Sequence, residues 1–199
     1  MQTIVIATHN AHKLEELRAI LGDAATGFEF VPTDGPDPVE DGVTFAENAL
    51  IKARAAVAHS GLPALADDSG LAVDALGGAP GIYSKRFAGT GVDADNTAKL
   101  LDELAGLPDP ADRRAQFLCA AAFVAPDGTE AVEVAVWPGV ILPEPVGDGG
   151  FGYDPVFRPD GLDRGLAELT PAEKNAVSHR AMAFRRIMPA VAAWSAGTA

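Results

Sequence analysis

Leu62-Pro63-Ala64-Leu65-Ala66-Asp67-Asp68-Ser69-Gly70-Leu71-Ala72-Val73 is the stretch on which the reading of this chain turns. A short apolar β-type run meets two adjacent carboxylates and a glycine, then resumes as Leu71-Ala72-Val73. It reads as a strand that gives way to a turn at Asp67-Asp68-Ser69-Gly70. Two acids at the margin of a core are costly to place unless a cation meets them. Mg²⁺ is a natural candidate, because it binds through one or two carboxylates while phosphates and water fill its other positions. An Asx-type turn capping the strand accounts for the same tetrapeptide taken alone.

Towards the N-terminus, residues 2–7 form a β-rich run ending in the polar loop Thr8-His9-Asn10. Leu14, Leu17 and Leu21 then recur at helical spacing, with Gly22 as a stop. Phe28-Glu29-Phe30-Val31 reads as a second strand, and residues 32–42 as a Pro/Gly/Asp loop. A long alanine-rich helix is predicted over 44–60, opened by the capping box Thr44-Phe45-Ala46-Glu47. Towards the C-terminus come a Gly/Pro loop at 77–81, a helix near 93–104, and β-like runs at about 114–125 and 129–137 around Pro126-Asp127-Gly128. A glycine-rich loop at 147–155 follows, then helix starts at Thr170-Pro171-Ala172-Glu173 and near Ser178. This order predicts an α/β protein with a mixed β-sheet flanked by helices, a single domain over 1–199 with a smaller lobe around 113–145.

Composition sets the outer bounds. The 199 residues suffice for a substantial core, and 48% hydrophobic with 22% charged residues is ordinary for a globular protein. No stretch reaches membrane-spanning length and the N-terminus lacks a signal peptide's basic region, so a cytoplasmic protein with no membrane partner is expected. A net charge of −13 argues against direct nucleic-acid binding. A small polyanion remains admissible if the few cations are gathered locally, which makes Lys13, Lys52, Lys85, Lys99 and Lys174 worth following. The single cysteine, Cys119, lies in an apolar run and reads as a buried, inert thiol.

Several segments carry chemistry. Thr8, Asn10 and Lys13 lie where a strand ends and a helix begins, a place that favours phosphate through free N–H groups and the helix dipole. A plain N-cap with Lys13 in solvent accounts for them equally. Glu40 is a candidate second carboxylate opposite Asp68, with Asp41 adjacent, whereas Glu47 is explained as the partner of Thr44. Lys52 follows on the same helix. Gly147-Asp148-Gly149-Gly150-Phe151-Gly152 matches G-x-G-x-x-G but runs into Tyr153-Asp154-Pro155 instead of a helix, so it is no dinucleotide fingerprint. Its use is a loop whose Phe151 and Tyr153 offer faces for a base, one of the two rings being expected to fill the core. His179 and Arg180 put potential cations in a first helical turn, against the dipole, which points to a ligand. Their donors suit the O6 and N7 acceptors of a 6-oxopurine better than a 6-aminopurine.

Six segments, in order, resemble the inosine/xanthosine triphosphate pyrophosphatase family. They are Thr8-x-Asn10-x-x-Lys13, Phe45-x-Glu47-Asn48-Ala49-x-x-Lys52-Ala53, Ala66-Asp67-Asp68-Ser69-Gly70-Leu71, Gly78-Ala79-Pro80-Gly81-Ile82-Tyr83-Ser84, Gly150-Phe151-Gly152-Tyr153-Asp154-Pro155-x-Phe157 and Glu173-Lys174-Asn175-x-x-Ser178-His179-Arg180. The resemblance implies an elongated mixed sheet, two lobes with a nucleotide cleft between them, and a homodimer. It also implies Mg²⁺-dependent hydrolysis of deaminated purine nucleoside triphosphates (ITP, dITP, XTP) to monophosphate and pyrophosphate. By the same resemblance Thr8, Asn10, Lys13 and Lys52 hold the triphosphate, Glu40 and Asp68 serve the metal, and Asp68 is the catalytic proton acceptor. Ser69, Phe151, Gly152, Tyr153, Asp154, Lys174, His179 and Arg180 line the substrate site. His9 departs from the pattern, standing where glycine is usual. A pyrophosphatase of different base preference and a nucleotide-binding regulator without turnover are the competing readings.

Overall fold

A computed structural model describes residues 1–9 and 11–198. The strands are β1 (Gln2–Ile6), β2 (Phe28–Pro32), β3 (Ala64–Val73), β4 (Arg114–Val124), β5 (Glu130–Ile141) and β6 (Phe157–Pro159). They form one mixed sheet of six strands in the order β2-β1-β3-β4-β5-β6. β1 pairs in parallel with β2 and β3, and β5 pairs antiparallel with β6. The helices are α1 (Ala11–Leu21), α2 (Phe45–Ser60), α3 (Asp93–Glu103), α4 (Pro171–Val177) and α5 (His179–Gly197). No helix among the described residues is long and apolar enough to cross a membrane.

The chain forms two compact units. The first comprises Met1–Asp68, Cys119–Ala135 and His179–Ala199, the second Ser69–Leu118 and Val136–Ser178. Residues 113–145, expected to make a small lobe, are instead shared between them. The reason is that β4 and β5 are long strands, 11 and 12 residues, each belonging in part to both units.

In the first unit β3 and β4 are buried on both faces, and their period of two sorts the side chains. Leu65 of β3 and Cys119, Ala121 and Phe123 of β4 pack with Leu14, Leu17, Phe184 and Ile187 of α1 and α5. Ala66, Ala120, Ala122 and Val124 pack on the other side against Ala49 and Ala53 of α2. Small side chains there let α2 lie close to the strands. That helix starts as its local signals dictate: Thr44 Oγ1 accepts from the Glu47 N–H at 3.1 Å. The Glu47 carboxylate reaches one residue beyond the expected cap, accepting from the Val43 N–H at 2.7 Å. In the second unit Phe117 and Phe157 meet edge to face at 4.7 Å, and Leu71, Leu100, Leu104 and Ile141 are fully buried.

One expectation is overturned. Asp67-Asp68-Ser69-Gly70 is no turn, because β3 runs unbroken from Ala64 to Val73. The local preference of Ser and Gly for a turn yields to cations and an amide that satisfy both acids inside the sheet.

Candidate active site

Strand alternation separates the two adjacent acids. Asp67 follows Leu65 onto the α1/α5 face, and Asp68 follows Ala66 onto the α2 face. On the first face Lys13 of α1 meets Asp67 Oδ1 at 2.9 Å. Arg180 of α5 donates through Nε to Asp67 Oδ2 at 3.2 Å and through Nη1 to Glu16 Oε2 at 2.8 Å. Burial opposes the Asp67 charge, but Lys13 and Arg180, with Lys52 beyond, overturn it and hold its pKa far below the ordinary carboxylate range. Burial likewise opposes the Arg180 charge, and Asp67 and Glu16 raise its pKa in spite of it.

On the α2 face the Lys52 ammonium donates to Asp68 Oδ1 at 3.1 Å and to Glu40 Oε2 at 3.3 Å. Burial would lower the Lys52 pKa, yet Asp68, Asp67 and Glu40 raise it. Two carboxylates from a strand and a loop therefore converge on one cation. Among the described residues no three His, Cys, Asp or Glu side chains gather as a metal cluster. A pair of carboxylates facing a phosphate-bearing ligand is nevertheless the donor set that Mg²⁺ uses, so these residues fit that ion. Glu40, not the neighbouring Asp41, is the acid brought to Lys52.

The glycine-rich loop of the second unit is held from several sides. Phe151 N–H donates to Asp154 Oδ2 at 2.8 Å, and Lys174 Nζ donates to the same oxygen at 2.5 Å. That ammonium also lies 4.3 Å from the Phe151 ring centroid. Gly150 has φ +74°, and a Cβ there would fall on the Asp154 carboxylate, so glycine is required. Gly152 N–H donates to Asp93 Oδ2 at 2.9 Å and its carbonyl accepts from Thr97 Oγ1 at 3.3 Å. Tyr153 is the ring that packs inside, donating its hydroxyl proton to the Ser84 carbonyl at 2.9 Å, while Phe151 is left 55% exposed. The loop enters a 3₁₀ turn at Asp154–Val156 and no α-helix, as the proline requires.

Of the residues singled out in the sequence, Lys13, Lys52, Glu40, Asp68, His179 and Arg180 belong to the first unit. Phe151, Gly152, Tyr153, Asp154 and Lys174 come together in the second, to which Ser69 also belongs. Thr8 is half-buried after β1, with its N–H on the Ile6 carbonyl, and Asn10 lies outside the described residues. His179 and Arg180 are both buried at the start of α5. The charge of Arg180 there needs no ligand, because Asp67 and Glu16 compensate it. Four partners escaped the sequence reading: Glu16, Asn48, Asp93 and Thr97. Asn48 stood inside a quoted motif, and the others look like ordinary helix-surface residues until the fold places them.

Comparison with known proteins agrees with this arrangement. Residues 4–190 match the Ham1 family, and the chain belongs to it. A dITP/XTP pyrophosphatase of Leifsonia xyli is 55% identical over 98% of this chain and 98% of its own. One from Streptomyces coelicolor is 52% identical over 96% and 98% respectively. Among solved structures, a HAM1 protein from Coxiella burnetii superposes with a TM-score of 0.87 at 43% identity, covering 96% of this chain and 99% of that one. A nucleoside-triphosphatase / dITP/XTP pyrophosphatase from Mycobacterium abscessus superposes with a TM-score of 0.77 at 48% identity, covering 94% and 100%.

Proposed function

We propose that the protein is a Mg²⁺-dependent pyrophosphatase that hydrolyses dITP, ITP and XTP to the monophosphate and pyrophosphate, clearing deaminated purines from the nucleotide pool. The convergence of Glu40 and Asp68 on the Lys52 ammonium carries this reading. It sets two anionic ligands beside a cation that can pass to a phosphate, and the activity named for the 52–55% identical relatives is of this kind.

In this reading Thr8, Asn10, Lys13 and Lys52 hold the triphosphate, and Glu40 and Asp68 hold the metal. When bound, Mg²⁺ supplies positive charge against the phosphate oxygens and eases attack on the α-phosphorus. Asp68 accepts the proton of the attacking water, the bond from the α-phosphorus to the α–β bridging oxygen breaks, and pyrophosphate leaves with its charge offset by Lys13 and Lys52. Phe151 stacks the base, with Lys174 and Asp154 fixing its loop, while Ser69, Gly152 and Tyr153 complete the substrate contacts. His179 and Arg180 read the 6-oxo group. The enzyme acts on free nucleotides in the cytoplasm and works as a homodimer, which light scattering after size exclusion tests directly.

The protein is incubated with Mg²⁺ and ITP, dITP, XTP, GTP, ATP or dUTP, and pyrophosphate and orthophosphate are measured separately. Pyrophosphate from the 6-oxo, deaminated substrates is expected, with little from ATP or dUTP and none after Asp68→Asn in a folded protein. Orthophosphate release, preference for dUTP, or binding without turnover would each overturn the assignment.

A further inference from the structure

The fourth residue of α2, Asn48, is buried with only 3% of its surface exposed, on a face otherwise built from alanines. Asparagine is a poorer helix former than alanine, and a buried amide is costly unless both its ends are satisfied. Here both are. Its Oδ1 accepts from the Gly42 N–H at 2.9 Å, and its Nδ2 donates to Asp68 Oδ2 at 3.2 Å. The orientation of the amide follows from its partners, since a backbone N–H only donates and an ionised carboxylate only accepts. Contact with the loop is close: a Cβ on Gly42 would lie 2.6 Å from Asn48 Oδ1 and 2.8 Å from Glu47 Cβ.

We infer that Asn48 is a positioning residue that sets the spacing of the metal-binding acids, tying the loop two residues beyond Glu40 to the Asp68 oxygen that Lys52 does not take. Lys52 joins Glu40 to Asp68 Oδ1, and Asn48 joins the Glu40 loop to Asp68 Oδ2. The two connections differ in one respect. The ammonium can move to a phosphate when nucleotide arrives, whereas the amide is fixed to a helix turn and keeps both acids in register. The inference rests on the metal role proposed for Glu40 and Asp68.

Two uncharged variants separate packing from positioning. Asn48→Leu keeps the number of side-chain heavy atoms and loses both hydrogen bonds. Asn48→Ala loses both hydrogen bonds and matches the alanines of the rest of that face. Mn²⁺ binding is titrated by electron paramagnetic resonance with a non-hydrolysable α,β-imido deoxyinosine triphosphate present, and circular dichroism melts certify the fold. The Mn²⁺ Kd is expected to rise at least about tenfold in both variants, in line with other residues that support metal ligands. Nucleotide affinity without metal is expected to stay within about twofold, which a merely structural defect at α2 would not spare. A folded variant with unchanged Mn²⁺ Kd overturns the inference, and Asn48→Ala answers the question alone if Asn48→Leu does not fold. A wild-type protein that binds no Mn²⁺ overturns the metal reading and this inference together. Wild-type binding with unaltered variants overturns this inference alone.

Discussion

Arg180 Nε donates to Asp67 Oδ2 at 3.2 Å, a bond that closes over 113 residues of chain and places a buried guanidinium of α5 on a buried carboxylate of β3. Lys13 takes the other Asp67 oxygen and Glu16 takes Nη1 of Arg180, so the chain of charges runs Lys13, Asp67, Arg180, Glu16. Asp67 and Arg180, both buried, have no solvent to replace a lost partner, whereas Lys13 and Glu16 are partly exposed. The network holds α1, β3 and α5 of the first unit in one arrangement.

Asp67→Asn should therefore destabilise the protein by about 3–5 kcal/mol, because Arg180 keeps only part of its compensation. Urea unfolding at neutral pH measures it, and a midpoint equal to wild type would show that the network contributes nothing net. Arg180→Lys should recover little, since a point charge does not reproduce the two directed donors.

Glu40→Gln and Asp41→Asn differ by one position and should differ sharply in effect. Glu40 reaches Lys52 and Asp41 does not take part in that contact. The Mg²⁺ concentration for half-maximal turnover should rise about tenfold in Glu40→Gln, a loss of about 1.4 kcal/mol, and stay within about twofold in Asp41→Asn. The reverse order would transfer the second metal carboxylate to Asp41.

Lys174→Met removes the cation from both Asp154 and the Phe151 ring. In the proposed reading Phe151 stacks the base, a contact worth about 1–3 kcal/mol per base, and losing Lys174 weakens it. KM should rise about tenfold or more for dITP, dGTP and dATP alike, leaving the preference among bases unchanged, since an aromatic face stacks any base. A change in preference without a change in KM would place base selection in this loop.

Tyr153 supplies a dependence on pH. Burial pushes its phenol well above the ordinary value, and the nearby Asp93 charge adds to the shift. An unfolded tyrosine ionises near pH ~10 while the folded one does not, so rising pH draws the equilibrium towards the unfolded chain. The contribution is complete below about pH 10 and is lost as pH rises above it. Tyr153→Phe should flatten the fall in stability between about pH 9 and about pH 11, while lowering neutral stability by about 0.5–1.5 kcal/mol through the lost bond to Ser84. Urea midpoints across that range provide the check.

Much of this was legible in the residues because it is local. Thr44 and Glu47 announce the start of α2 three residues apart, and Thr170 with Pro171 and Glu173 does the same for α4. The turn between β4 and β5 is written in Asp127 and Gly128, the latter at φ +89°. Glu16 was illegible, being one of two adjacent acids on a helix until α5 brings Arg180 beside it. Asp93 and Thr97 were illegible for the same reason, as their partner Gly152 is a backbone group.

From its residues alone the chain determined the starts of α2 and α4, the turn between β4 and β5, and the clustering of acids, lysines and aromatics in recognisable segments. Only tertiary structure decided what Asp67 and Asp68 are. Their local sequence favours a turn, in which adjacent acids share one environment. Sheet pairing extends the strand through them instead, and a strand sends neighbours to opposite faces. Asp67 thus meets Lys13 and Arg180, while Asp68 meets Asn48 and Lys52 beside Glu40, where we propose it acts as the acid of the site.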